Sequence, residues 1–149
     1  MRRRTVYLEA SGRTQDLLNI KWALLASGYS IGSTWHENQP GISGAKKHWD
    51  RDVEQLQVCD ALIVICGTFD NSVSELAMMA GFALARGLQV IWIGPQLRGL
   101  SGLPAVKHFN SADDYRKQIV PHPVLEIAQR RSSHLQARQR NSLSIAECA

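Results

Sequence analysis

Asp60 to Gly67 reads DALIVICG, apolar without a break from Ala61 to Cys66. A strand with no polar side has to be covered on both faces, which is the situation of a central strand in a parallel sheet. A second run of the same kind, LQVIWIG (Leu88–Gly94), follows after one helix-length of chain. Parallel neighbours need a crossover of about that length, and a helix is its usual form. These two strands and the segment between them therefore restrict the chain to an α/β arrangement.

The rest of the sequence supplies the other units. RTVYLEA (Arg4–Ala10) alternates and is rich in β-formers, so it reads as a first strand. From Thr14 to Ser27, residues Leu17, Leu18, Ile20, Trp22, Leu24 and Leu25 recur at helical spacing, and Gly28 supplies the stop. Tyr29–Trp35 reads as a second strand. His36–Lys47 is polar, carries Pro40, Gly41 and Gly44, and reads as a loop. His48–Cys59 is expected to be a helix with Trp49, Val53 and Leu56 turned inward. Ser72–Arg86 reads as a buried helix closed by Gly87. A loop (Pro95–Ala105), a short edge strand (Val106–Phe109) and a short helix over Ser111–Ile119, capped by Ser111, follow. Pro121 and Pro123 break that helix, and a last one is expected from Val124 to about Gln136.

The order predicts an α/β fold: a single-domain, doubly wound, mostly parallel five-stranded sheet with helices on both faces, Rossmann-like or flavodoxin-like. Residues 1–122 form the expected domain, and residues 123–149 a basic C-terminal helix and tail. A length of 149 residues suits one core.

Composition excludes several functions. No apolar run approaches the roughly 20 residues of a membrane span, and the basic start is followed by a strand rather than a signal sequence, so a cytoplasmic protein is expected. The net charge of +4 is concentrated at Arg2, Arg3 and Arg4 and at Arg130, Arg131, Arg138 and Arg140. No aromatic residue interleaves with the C-terminal arginines to stack bases, so nucleic acid is not the expected partner. Cys59, Cys66 and Cys148 form no CxxC pair or zinc spacing and read as structural. His36, His48 and His108 are scattered, without an HExxH motif, so neither metal nor cofactor is expected.

In sheets of this class ligands bind beyond the carboxyl ends of the strands. That rule selects Ala10–Arg13, Trp35–Gly44, Gly67–Glu75 and Pro95–Gly102. Glu75 opens an otherwise apolar helix after the central strand. Ser72-Val-Ser-Glu75 matches a capping box, yet an ionised carboxylate at a helix N-terminus facing a crevice also suits a nucleophile. Asp70 and Asn71 read either as turn formers or as ligand contacts. Tyr7 reads as a core aromatic with its hydroxyl at the edge, and Asp52 by default as a surface charge. Ser11, Gly12 and Arg13 offer a helix N-terminus to an anion, without a phosphate-loop pattern. Trp35, at the end of the second strand, lies on the same edge.

The segments TVYLEASG, GYSIGSTWHE, RDVEQLQVCDALIVICG, SELAMMAGFALARGLQVIWIGP and GLPAVKHFNSADDY occur in an order that resembles nucleoside 2-deoxyribosyltransferase-like proteins, from Arg4 to Ile119. The resemblance implies cleavage or transfer at the N-glycosidic bond of a nucleoside or nucleoside monophosphate through a glycosyl-enzyme intermediate. It implies Glu75 as nucleophile, Tyr7 as the group that positions it, and Asp52 and Asp70 as contacts to the base. It also implies a homodimer or higher homo-oligomer. The turn after the first strand departs from the family, reading Glu9-Ala10-Ser11-Gly12. Two other readings share these residues: an NAD-cleaving domain of the Toll/interleukin-receptor type, and a non-catalytic nucleotide-binding module in which Glu75 is only a cap.

Overall fold

In a strand, successive side chains point to opposite faces, and that period sorts the core into two layers. In the computed structural model, which describes residues 2–11, 14–37, 45–67 and 73–119, β1 (Thr5–Ala10) sends Val6, Leu8 and Ala10 to one side and Tyr7 to the other. The first side packs on α1 (Gln15–Ala26) through Leu17, Ile20 and Leu24, and on α4 (Ala112–Gln118) through Ala112 and Tyr115. The second packs on α2 (Ala45–Gln57) through Leu56, and on α3 (Val73–Ala85) through Leu76, Met79, Ala80 and Ala83. Between these layers β3 (Ala61–Ile65) is buried at every position, as its unbroken apolar run requires.

With β2 (Ser30–Ile31), β4 (Gln89–Ile93) and β5 (Val106–Phe109) the sheet has five strands, all parallel, in the order β2-β1-β3-β4-β5. The register pairs Glu9 with Val64 and Val64 with Trp92. The helices begin and end where local chemistry directs. Thr14 accepts from Leu17 N (3.3 Å) at the start of α1, and Ser111 accepts from Asp114 N (3.2 Å) at the start of α4. Gly28 and Gly87 take the positive φ values, 87° and 76°, that follow α1 and α3.

Two expected boundaries differ. The second strand is two residues long, and a single 3₁₀ turn occupies Trp35–Glu37. Gly32 N still donates to Val6 O (2.8 Å), but beyond it side chains replace the ladder. Ser33 Oγ accepts from Leu8 N (3.0 Å), and Trp35 Nε1 donates to Leu8 O (2.7 Å). The helix α2 begins at Ala45, three residues before the expected start; Ala45, Lys46 and Lys47 are all good helix formers. The expected helix from Val124 and the whole segment 123–149 lie outside the described residues.

Candidate active site

From β1 the chain passes to β2 on one side and then to β3 on the other, so the connections diverge at the carboxyl ends of β1 and β3. A divergence of this kind leaves a crevice, and ligands of doubly wound sheets bind there. Three elements bring side chains to that edge.

The first is β1. Tyr7 is fully buried, and its hydroxyl has no hydrogen-bond partner. Asp52 faces the hydroxyl, but the pair falls short of hydrogen-bond geometry. Burial first, then the nearby Glu9 and Asp52 carboxylates, hold the phenol far above its ordinary range, with Arg51 opposing them. Two residues on, Glu9 follows in the same phase of the strand. It is half-buried, and its Oε1 accepts from Ala10 N at 3.2 Å. Burial, and then the Asp52 carboxylate, push the Glu9 carboxyl up to about 8. The Ala10 hydrogen bond opposes this rise and Glu75 adds to it.

The second element is α2, which carries Asp52 over the sheet. The Asp52 side chain is 14 % exposed, and its Oδ1 lies 3.5 Å from Arg51 Nη2. The third is α3, whose first turn holds Glu75 in an exposed position. The carboxylate is neither walled off nor part of the apolar helix face, which runs through Leu76, Met79, Ala80 and Ala83.

The ends of β3 and β4 frame the same edge. Gly94, with φ at 124°, lies so close to Cys66 that a Cβ would collide with the Cys66 carbonyl oxygen. His108 Nε2 donates to Gly94 O (2.6 Å), which leaves Nδ1 as the acceptor facing Gln96 Nε2 (3.4 Å).

Of the residues expected from sequence, Tyr7 shares a face of β1 with Glu9, and the Asp52 and, more weakly, the Glu75 carboxylates reach Glu9 electrostatically. The resemblance implies a Tyr7 hydroxyl that positions Glu75, but no hydrogen bond joins the two. Ser11 is exposed just past β1. Trp35 is half-buried against both core layers with its indole N–H already committed to Leu8 O. Gly12, Arg13, Asp70, Asn71 and the cap residue Ser72 lie outside the described residues. Glu9 is the site residue that motif reading passes over. Its signal is phase: Thr5, Tyr7 and Glu9 alternate, so a carboxylate falls on the inward face that Tyr7 defines. Among the described residues no three His, Cys, Asp or Glu side chains are arranged to hold a metal ion. A cavity of about 450 Å³ opens at the opposite end of α3 from Glu75, lined by Leu56, Gln57, Phe82, Ala85, Arg86 and Leu88.

The strand order defines the class, a doubly wound α/β domain, and its fold is the nucleoside 2-deoxyribosyltransferase-like one. The chain is similar to the 2-deoxyribosyltransferase of Bacillus psychrosaccharolyticus, with 16 % identity and a TM-score of 0.57 over 80 % of this chain and 98 % of that one. It is also similar to the CMP N-glycosidase of Clostridium botulinum, with 18 % identity and a TM-score of 0.58 over 77 % of this chain and 97 % of that one. Sequence comparison finds no matching family model and no matching curated relative.

Proposed function

We propose that this protein cleaves or transfers at the N-glycosidic bond of a nucleoside or nucleoside monophosphate, with Glu75 as the nucleophile. The observation that carries the reading is the exposed Glu75 carboxylate at the first turn of α3, near enough to Glu9 to affect its ionisation. Two solved structures with this fold act on that bond by their names, one a 2-deoxyribosyltransferase and one a CMP N-glycosidase.

The chemistry follows from charge. As the C1′–N bond stretches, positive charge develops on the sugar, as in glycoside cleavage. A carboxylate beside that centre stabilises it and then captures C1′. The positive end of the α3 dipole favours the ionised form of a carboxylate in its first turn. The orphaned Tyr7 hydroxyl is a donor that bound sugar or a ligand-induced shift of a carboxylate can satisfy. Asp52 suits a hydrogen bond to the base, and Asp70 and Asn71 are assigned to the ligand by sequence position. Ser11, Gly12 and Arg13 are assigned to a 5′-phosphate on the same ground, and Trp35 walls the crevice. Water or a second base then takes the sugar from Glu75.

The test is a panel of ribo- and 2′-deoxynucleosides, their 5′-monophosphates and NAD, assayed for free base by chromatography. At least one nucleoside or monophosphate is expected to release base with wild-type protein. With Glu75→Gln that release is expected to fall at least ~10³-fold, while the melting temperature stays unchanged. Removing a nucleophile leaves only the contribution of binding and electrostatics. Release from NAD alone, or wild-type turnover in Glu75→Gln, would refute the reading.

A further inference from the structure

The reaction proposed above has a second requirement that Glu75 does not meet. A nucleobase is a poor leaving group unless a proton reaches it as the bond breaks, and an acid positioned to give that proton is worth roughly 10²–10⁴-fold in rate. We propose that Glu9 is that acid: its carboxyl, at the end of β1, protonates the departing base. The inference rests on the N-glycosidic reading of the site.

The arrangement supports it in four ways. Glu9 lies in the inward phase of β1, two residues beyond Tyr7, at the carboxyl edge where the crevice opens. Its Oε1 is occupied as an acceptor by Ala10 N, which leaves Oε2 to hold a proton. The side chains around it favour the neutral form. From α2 it meets Asp52, which Arg51 Nη2 approaches at 3.5 Å. From α3 it feels the charge of Glu75, the weakest of these influences. The neighbour in register on β3 is Val64, which carries no charge, and on its own strand the same face holds Tyr7. On the β2 side His36 contacts Ser33 Oγ through Nε2 at 3.4 Å. Neighbouring carboxylates resist ionising together; burial first, then Asp52 and more weakly Glu75, push Glu9 up to about 8. Finally, the fully buried Tyr7 hydroxyl lies on the same face of β1 as Glu9, close enough to Glu9 and Asp52 to feel both carboxylates, so the cluster is set into the core layer rather than spread over a solvated surface.

In the first step the C1′–N bond breaks and its electron pair stays on the base nitrogen system. The proton on Glu9 Oε2 passes to the base, and a Glu75 oxygen forms the new bond to C1′. Glu9 is left as a carboxylate. In the second step it takes a proton from the water, or from the incoming base, as that nucleophile displaces Glu75 from C1′. One residue thus serves as acid and then base, and the enzyme returns to its starting protonation state.

The experiment compares wild type, Glu9→Gln and Glu75→Gln on two substrates. One is the nucleoside or monophosphate with the greatest base release; the other is the 4-nitrophenyl glycoside of the same sugar, whose phenolate leaves without a proton. In kcat/KM, which reports the bond-breaking first step, Glu9→Gln is expected to lose roughly 10²–10⁴-fold on the first and less than about threefold on the second, where a burst of 4-nitrophenolate precedes slow release of the sugar. Glu75→Gln is expected to lose both. The fall in wild-type kcat/KM above pH 8 should be missing in Glu9→Gln. Glu9→Gln that turns over both substrates like wild type, or loses both equally, overturns the assignment while leaving Glu75 as nucleophile. A ¹³C-labelled Glu9 carboxyl that titrates near 4.5 in the unmutated protein overturns it as well. Wild-type protein that releases no base from any nucleoside refutes the N-glycosidic reading itself, and this inference with it.

Discussion

Glu9 and Glu75 are the same side chain in two environments, and the difference between them is burial. Glu75 projects from the first turn of a helix, whereas Glu9 is half-buried beneath α2 with a second carboxyl for company. That contrast has a thermodynamic consequence. In the unfolded chain Glu9 releases its proton near 4.5, and in the folded chain it keeps it to about 8. Between those values the native state holds one more proton than the unfolded state. Raising the pH through that window therefore favours unfolding, by about 1.4 kcal/mol per unit. Below 4.5 both states are protonated and the effect vanishes. Glu9→Gln, which keeps the shape and removes the titration, should melt with wild type at pH 4.5 and ~5 °C or more above it at pH 8. Thermal unfolding followed by circular dichroism at the two pH values checks this; an equal shift at both would show that Glu9 is already ionised in the fold. Strand-end position pointed to Glu75, whereas Tyr7 and Asp52 were singled out by the resemblance alone. Glu9 was marked by neither, because a glutamate just before Ser-Gly reads locally as a solvated turn. The layer that covers its face is α2 and α3, which arrive from more than thirty-five residues away along the chain.

At the scale of elements, the segments with the plainest physics were the ones read correctly. The unbroken run in β3 and the apolar helix α3 can hardly be anything else, and their observed limits match expectation within a residue or two. The second strand was read too long, for a reason that composition does not reveal. Tyr29–Trp35 carries the β-formers Tyr29, Ile31, Thr34 and Trp35, but pairing stops once Ser33 and Trp35 offer side-chain partners to the Leu8 N–H and C=O in place of backbone ones. Nothing local distinguishes a serine that lies in a ladder from one that replaces it. The substitution predicts its own energetics. Leu8 and Ser33 are both buried, so Ser33→Ala leaves the Leu8 N–H without its acceptor. The expected loss is about 1–3 kcal/mol, the desolvation cost of an unpaired peptide group, with no change in the denaturant slope. Urea unfolding measures both quantities. A loss below ~0.5 kcal/mol would mean that another group takes over the acceptor's place.

For the whole molecule, the question is which of two ends handles the ligand. The cavity of about 450 Å³ beside Leu56, Phe82 and Arg86 lies where α2 and α3 finish, with a single charged side chain in its lining. The opposite end gathers three carboxyls and a buried, unpartnered phenol around the carboxyl edges of β1 and β3. Topology favours the second. Only at the carboxyl edge do the crossovers leaving β1 and β3 in opposite directions open a crevice, and only there do helix N-termini point inward. The far end offers helix C-termini, whose carbonyls repel a phosphate. Net charge does not decide the matter, since the +4 of the chain lies largely in its terminal arginines. Amide-resolved NMR with cytidine 5′-monophosphate as the probe separates the two ends directly. Shifts are expected at Glu9, Ala10, Ser11 and Gly67 and in the first turn of α3 at Glu75. Leu56, Phe82 and Arg86 are expected to stay where they are. Saturable shifts at Arg86 with a silent Glu9 would move the binding function to the far cavity and separate it from every carboxyl on which the chemistry depends.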